Sequence, residues 1–250
     1  VMKKIFSKRK FFNFNGISIN SKKIKKNNLF VAIKGQKHDG HRYVTEALKK
    51  GASYSLVSKN NFNKNKKKLI ICKNTKSFLN KFGSIKRNEV DATIIAITGS
   101  SGKTTLKTLI GNLLNTYEKT YFSPKSYNNH YGVPLSLCNL EKEHKYGVFE
   151  IGMSHSGEIN KLSKLIRPKV GIITNIAEAH IENFKNINGI AKAKSEIIDN
   201  IECGGTILLN RDDKFFNYMK NKAIKKNLKL LSFGLSKNSD ISLIKIIKIQ

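Results

Sequence analysis

The rhythm of apolar and polar positions changes once along this chain. Over residues 17–87 the apolar runs are short: 29–33, 54–57 and 69–72 each have the length and composition of a strand. Between the first two, residues 41–50 set Tyr43, Ala47 and Leu48 at helical spacing and stop at Gly51, a good helix terminator. Residues 60–68 are mostly Asn and Lys and read as a solvated loop. Residues 88–91 read as the hinge into a second unit. From Thr93 the grammar is strand, helix, strand. Apolar runs at 94–98, 147–151, 170–174 and 206–209 are interspersed with helical stretches at 103–117, 158–166, 187–200 and 214–226, and the pattern fades after Asp240. Such alternation implies right-handed crossovers and a largely parallel sheet. The expected fold is α/β: a mixed α/β unit over residues 1–90, then a nucleotide-binding unit with a mostly parallel sheet over residues 91–250. No internal repeat is visible.

Composition narrows the setting. A chain of 250 residues, 39% hydrophobic, can bury a proper core, and no run approaches the roughly 20 apolar residues that span a bilayer. Lys8, Arg9, Lys10 and Asn13 interrupt the Phe-rich start, so no secretory signal is expected. Cys72, Cys138 and Cys203 are odd in number, far apart and in no CxxC spacing, which argues for a reducing compartment and against zinc or a disulfide framework. Cytoplasm is the expected location. The formal charge of +30, from 47 Lys+Arg against 17 Asp+Glu, invites a nucleic-acid reading. Yet nearly all of it is Lys, spread with Asn and Ile along the whole chain, while the Arg that bidentate base contacts favour is scarce. Base composition accounts for that bias more simply. No nucleic-acid partner is expected, and the charge is left to attract anionic substrates.

Candidate chemistry begins at Thr98-Gly-Ser-Ser-Gly-Lys-Thr-Thr105, where a strand gives way to a helix. Gly99 and Gly102 allow a tight turn that presents backbone N–H groups to phosphate oxygens, and the helix start adds its positive end. Gly99, Ser100, Ser101, Gly102, Lys103, Thr104 and Thr105 therefore form the candidate nucleotide site. Lys103 would reach the β- and γ-phosphates and the Thr104 hydroxyl would ligate Mg²⁺. The common G-x-x-x-x-G-K-[ST] spacing would put Gly at position 97, where this chain has Ile97. A bare Gly-Lys-Thr is weak evidence against a simple structural turn; the strand before and the helix after favour the nucleotide.

With its shorter spacing the loop resembles the T-G-[ST]-x-G-K-[TS] of the Mur ligases. Four further segments follow that family in order: Tyr127-Asn-Asn-His-Tyr-Gly-Val-Pro134, Glu150-Ile-Gly-Met-Ser-His-Ser-Gly-Glu-Ile159, Asn175-Ile-Ala-Glu-Ala-His-Ile-Glu182 and Ala191-Lys-Ala-Lys-Ser-Glu-Ile197. The first two are similar to segments of its D-alanyl-D-alanine-adding branch. Leu29-Phe-Val-Ala-Ile-Lys-Gly35 and Asp39-Gly-His41 resemble the branch's UDP-sugar-peptide recognition domain. The resemblance implies an amide-bond ligase that uses ATP and Mg²⁺ to turn a carboxylate into an acyl phosphate, which an amine then attacks. Its substrates would be UDP-N-acetylmuramoyl-tripeptide and D-alanyl-D-alanine, and the protein a cytoplasmic monomer of peptidoglycan synthesis.

The same resemblance assigns roles. Glu150 would ligate Mg²⁺ beside Thr104, His180 a second Mg²⁺, and Lys194 would be carbamylated by CO₂ into a further metal ligand. Only a neutral amine reacts with CO₂, so the Lys194 pKa must be lowered by burial or neighbouring cations. Asn20-Ser-Lys22 stands where the family has D-[ST]-R, which makes Ser21 a candidate substrate contact. Asn128 and Asn129 are candidates too, or else a turn-forming pair before Gly132 and Pro134. The family has three domains. The expectation is a chain that stops inside the second, binds nucleotide weakly and does not complete ligation. Two alternatives stand beside this reading. One is another Mur-type ligase, adding an amino acid or acting on folate, although the amino-acid-adding branch favours T-T-P where this chain has Asn128-Asn129. The other is a non-catalytic nucleotide or nucleic-acid binder.

Overall fold

The computed structural model describes residues 3–7, 10–35, 38–59, 66–179 and 181–244. The chain forms two compact units, Val1–Glu89 with Leu137–Glu141, and Val90–Ser136 with Lys142–Gln250.

In the first unit β1 (Lys3–Ser7) and β2 (Lys10–Phe14) form an antiparallel hairpin. β3 (Gly16–Ser18), β4 (Asn28–Val31), β5 (Tyr54–Val57) and β6 (Leu69–Ile71) form a parallel sheet in that order. β4 is buried at every position, the burial expected of a parallel strand covered on both faces. Phe30, Ala32, Val57 and Leu69 pack there with Val44, Ala47 and Leu48 of α1 (Val44–Lys49). The helix expected over 41–50 opens as a 3-10 turn at Gly40–Tyr43, because the Asp39 carboxylate accepts from His41 N at 3.0 Å and caps the chain there. Helix α2 (Thr75–Glu89) was not anticipated. Its apolar positions Phe78, Leu79, Phe82 and Ile85 do have helical spacing, but Lys76, Lys81, Lys86 and Arg87 dilute the signal.

The second unit holds β7 (Thr93–Thr98), α3 (Lys103–Asn115), β8 (Thr120–Phe122), all but the last two residues of α4 (Gly132–Cys138), β9 (Tyr146–Glu150) and α5 (Glu158–Ile166). There follow β10 (Val170–Ile173), α6 (Ile187–Ser195), β11 (Thr206–Asn210), α7 (Phe216–Lys225), β12 (Lys229–Gly234) and β13 (Ile241–Ser242). The seven strands are parallel, in the order β13-β12-β11-β10-β7-β9-β8. Ile95, Ile97, Val148 and Ile172 form its core, against Leu106, Ile110 and Leu114 of α3. The helix expected over 187–200 ends at Ser195 and resumes as a 3-10 turn, Ile198–Asn200. Lys222 Nζ donates to Ser195 O at 3.0 Å and so occupies a carbonyl that a continued helix would use. From β7 the chain runs to β8 at one edge and back to β9, then crosses to β10 on the other side of β7. That reversal opens a crevice at the carboxyl ends of β7, β9 and β10, where open α/β sheets bind ligands. Among the described residues no helix is long and apolar enough to cross a membrane.

Candidate functional site

The candidate phosphate loop leaves β7 at Thr98 and turns at Gly99, φ 147°. A Cβ there would stand 1.8 Å from Thr174 Oγ1, so only glycine fits. Gly102, φ 77°, begins α3 with no side-chain cap, leaving the helix's positive end to the loop. The segment after β10 braces this turn. Thr174 Oγ1 donates to Ser101 O at 2.7 Å, and Asn175 Oδ1 accepts from Ser100 N at 3.1 Å and Ser101 N at 2.9 Å. Asn175 Nδ2 donates to Ser101 Oγ at 2.7 Å, and Ser100 Oγ donates to Ala177 O at 2.9 Å. Lys103 folds back over the loop, its Nζ donating to Gly99 O at 2.8 Å and Ser100 O at 3.2 Å. Thr105 is exposed on the first turn of α3.

Glu150 ends β9 opposite Ile97 of β7 and is 1% exposed. Its Oε2 accepts from Thr104 Oγ1 at 2.7 Å and its Oε1 from Asn128 Nδ2 at 2.7 Å. Ser126 Oγ lies 3.3 Å from Thr104 Oγ1. Both direct partners of this buried carboxylate are neutral. A hydroxyl and a carboxylate side by side are the hard oxygen donors that Mg²⁺ prefers, so the residues fit that ion.

Lys194 lies on α6, 3% exposed, with Nζ donating to Gly99 O at 2.9 Å. Burial, and then the nearby Lys103 ammonium, lower its pKa from 10.5 to about 7. Lys192, two residues earlier, is exposed. Beyond it the Glu196 carboxylate accepts from Gly157 N at 2.8 Å and Asn160 N at 3.0 Å, tying the end of α6 to the start of α5. Burial also lowers the pKa of Lys103, against the attraction of Glu150.

The residues read from the sequence thus separate. Hydrogen bonds link Gly99, Ser100, Lys103 and Lys194 in one group and Thr104, Glu150 and Asn128 in another. Asn129 faces its own backbone: its Oδ1 accepts from Tyr131 N at 3.1 Å and Gly132 N at 3.0 Å, at the entry to α4. Ser21, in the first unit, donates to Glu46 Oε2 at 3.0 Å. His180 lies outside the described residues. Asn175, Ser126 and the buried Lys107 were not singled out beforehand. Of these only Asn175 carried a signal: it directly follows a strand and opens one of the segments that resemble the family.

Comparison with known proteins identifies the family. The model of the Mur ligase middle domain matches residues 97–249, and that of the Mur ligase family, catalytic domain, matches residues 13–86. UDP-N-acetylmuramoyl-tripeptide--D-alanyl-D-alanine ligase of Buchnera aphidicola subsp. Baizongia pistaciae is 36% identical over 229 residues, 92% of this chain and 49% of that protein. The Rickettsia prowazekii ligase of the same name is 37% identical over 93% of this chain and 52% of its own length. Among solved structures, MurF from Acinetobacter baumannii superposes with a TM-score of 0.78 at 31% identity, covering 91% of this chain and 49% of that one. MurF ligase from Thermotoga maritima, in complex with ADP, gives 0.73 at 30% identity, covering 90% and 51%. The chain spans about half the length of the curated relatives it matches. The chain belongs to the Mur ligase family.

Proposed function

We infer that this chain carries the ATP-binding and carboxylate-activating part of an amide-bond ligase that joins D-alanyl-D-alanine to UDP-N-acetylmuramoyl-tripeptide. One observation carries the reading. Beneath a glycine turn at a strand–helix junction, a buried carboxylate meets a helix-start hydroxyl, Glu150 Oε2 to Thr104 Oγ1 at 2.7 Å. The names of the relatives above support the substrate assignment.

A carboxylate and an amine do not condense in water, because the leaving oxygen is too poor. Transfer of the γ-phosphoryl group of ATP to the carboxylate gives ADP and an acyl phosphate; attack by the amine then expels phosphate and forms the amide. The backbone N–H groups at the start of α3 would hold the β- and γ-phosphates, those of Ser100 and Ser101 being taken by Asn175. Lys103, released from Gly99 O and Ser100 O, would balance charge on the transferring group. Thr104 and Glu150 would hold Mg²⁺, which supplies positive charge to the phosphate oxygens when bound. His180 is assigned to a second ion by resemblance alone. Lys194, with a pKa of about 7, has a large neutral fraction at neutral pH, and the neutral amine is the form that reacts with CO₂. Carbamylation forms an N–C bond, releases one proton and makes this side chain an oxygen ligand. Asn128 would orient Glu150, and in this reading Asn129 and Ser21 keep the structural bonds described above.

The test is calorimetry of the purified chain with ATP and Mg²⁺, followed by ADP release on adding the UDP-muramoyl tripeptide with and without D-alanyl-D-alanine. Weak nucleotide binding that needs Mg²⁺ is expected, and any ADP release is expected to respond to D-alanyl-D-alanine rather than to single amino acids, without completed ligation by this chain alone. Binding without any Mg²⁺ dependence would remove Thr104 and Glu150 from the site. Preference for a single amino acid would move the chain to another branch of the family.

A further inference from the structure

The chemistry above leaves one buried charge beside the site unused. Lys107 lies one helical turn beyond Lys103 on α3 and is 1% exposed. Its Nζ donates to Lys125 O. Glu150 is close enough to favour the charged ammonium, although burial outweighs it and lowers the pKa. Lys125 sits at φ 50°, in the left-handed region, where a residue with a side chain is strained. An aliphatic side chain would fill the same volume without the cost of desolvating a charge. The ammonium adds two things that an aliphatic group lacks: a donor for the carbonyl of that strained turn, and a positive field at Glu150.

The turn belongs to the loop of residues 123–129, which wraps Glu150. Ser123 Oγ accepts from Glu150 N at 3.5 Å, Asn128 N donates to Ser126 O at 2.8 Å, and Gly152 N donates to Asn128 O at 2.8 Å. From this loop Ser126 reaches the Thr104 hydroxyl and Asn128 reaches the second oxygen of Glu150. We propose that Lys107 is a positioning residue, whose ammonium clamps the turn at Lys125 so that Ser126 and Asn128 fix Thr104 and Glu150 in the geometry that receives the metal–nucleotide complex. The metal–nucleotide part rests on the reading of Thr104 and Glu150 given above. The clamp is a property of the chain without ligand.

The experiment has two arms on the purified 250-residue chain and its Lys107→Met variant. In the first, without ligand, amide hydrogen exchange at Asn128 and Gly152 is expected to accelerate at least tenfold, with β10 and β11 changed less than twofold. No change at Asn128 and Gly152 overturns the clamp. Acceleration spread over the whole sheet also overturns it, since Lys107 would then be a general strut. In the second arm MgATP affinity is expected to fall about tenfold while ATP in EDTA changes less than twofold; equal losses overturn the positioning role. If neither chain binds ATP while exchange still changes locally, the nucleotide reading falls and the clamp stands. Lys107→Gln keeps a donor without the charge or the reach. Should the Met variant not fold, the same local exchange pattern is expected in Lys107→Gln, and its absence overturns the proposal.

Discussion

The two units are built alike, each a parallel sheet with helices, yet they treat buried polar groups in opposite ways. In the first unit the buried His41 and Ser21 find partners within the unit that complete them, while the buried Ser55 hydroxyl, a neutral group, has none. His41, 7% exposed, has Asp39 Oδ1 at 2.6 Å from Nδ1 and accepts from Ser58 N at 3.0 Å on Nε2. The Ser21 hydroxyl is taken by Glu46. In the second unit Glu150, Lys194 and Lys107 are more buried still, and the hydrogen bonds they make are to neutral groups: a hydroxyl, an amide and backbone carbonyls. A buried ion without an ionic partner costs stability. In the function proposed above, these three around one crevice are what a charged ligand would complete. The lesson concerns local balance, since the net charge of +30 is spread over the chain and does not point to this site.

The largest expected effect tests that cost directly. Lys194 has a pKa of about 7 in the fold against 10.5 as a free lysine. Between those values the unfolded chain holds a proton that the folded chain lacks, so this group makes stability rise as pH rises from 7 to 10.5. Below pH 7 both states are protonated, and the full cost of the buried ammonium is felt. The whole swing is on the order of 4–5 kcal/mol at most. In urea unfolding in CO₂-free buffer, Lys194→Met is expected to be more stable than the parent at pH 7 and to lose the difference toward pH 10. A parent and variant with parallel pH profiles would mean that Lys194 is not a costly buried ion, and the contrast between the units would fail there.

Next come the loop substitutions. Gly99→Ala forces a Cβ into Thr174 at a φ that side chains rarely adopt, and is expected to destabilise the second unit by roughly 2 kcal/mol. Lys103→Ala frees two loop carbonyls and removes a phosphate partner; MgATP binding is expected to weaken at least tenfold, about 1.4 kcal/mol. Urea unfolding and calorimetry read the two. Unchanged nucleotide affinity in Lys103→Ala would take the loop out of the site.

How much of this was legible beforehand follows from where each signal resides. β4, β5, β7, β9 and β10 were readable because strands buried on both faces are continuous apolar runs; β11 buries only alternate positions, yet Ile207, Leu208 and Leu209 still make an apolar run. β8, three residues long, and the Lys-rich α2 gave no such run. The loop of Gly99 to Thr104 was readable from spacing and context, because glycine turn, lysine and hydroxyl are neighbours in the chain. Glu150 and Lys194 needed the resemblance, since a strand-end carboxylate or one lysine of a pair looks the same whether it faces water or the core. Lys107 was invisible. In a chain so rich in Lys, only the fold shows which lysine points inward.

The smallest effect probes the first unit. Asp39, His41 and Ser58 are joined in a line that resembles a nucleophilic relay, with Ser58 Oγ 3.0 Å from His41 Nε2. The hydrogen bonds argue otherwise. Nε2 already accepts from Ser58 N, so the ring proton lies on Nδ1 toward Asp39, and the serine hydroxyl competes for a lone pair that a backbone amide holds. Asp39 is itself held below the usual carboxylate range, first by the backbone N–H of His41 and then by its ring. The arrangement staples the 3-10 turn at Gly40–Tyr43 to the end of β5. Ser58→Ala keeps the backbone bond and is expected to cost no more than about 1 kcal/mol in urea unfolding, with MgATP affinity unchanged. A loss well above that, or loss of a hydrolytic activity carried by the parent, would make the hydroxyl functional, and the first unit would then hold reactive chemistry of its own.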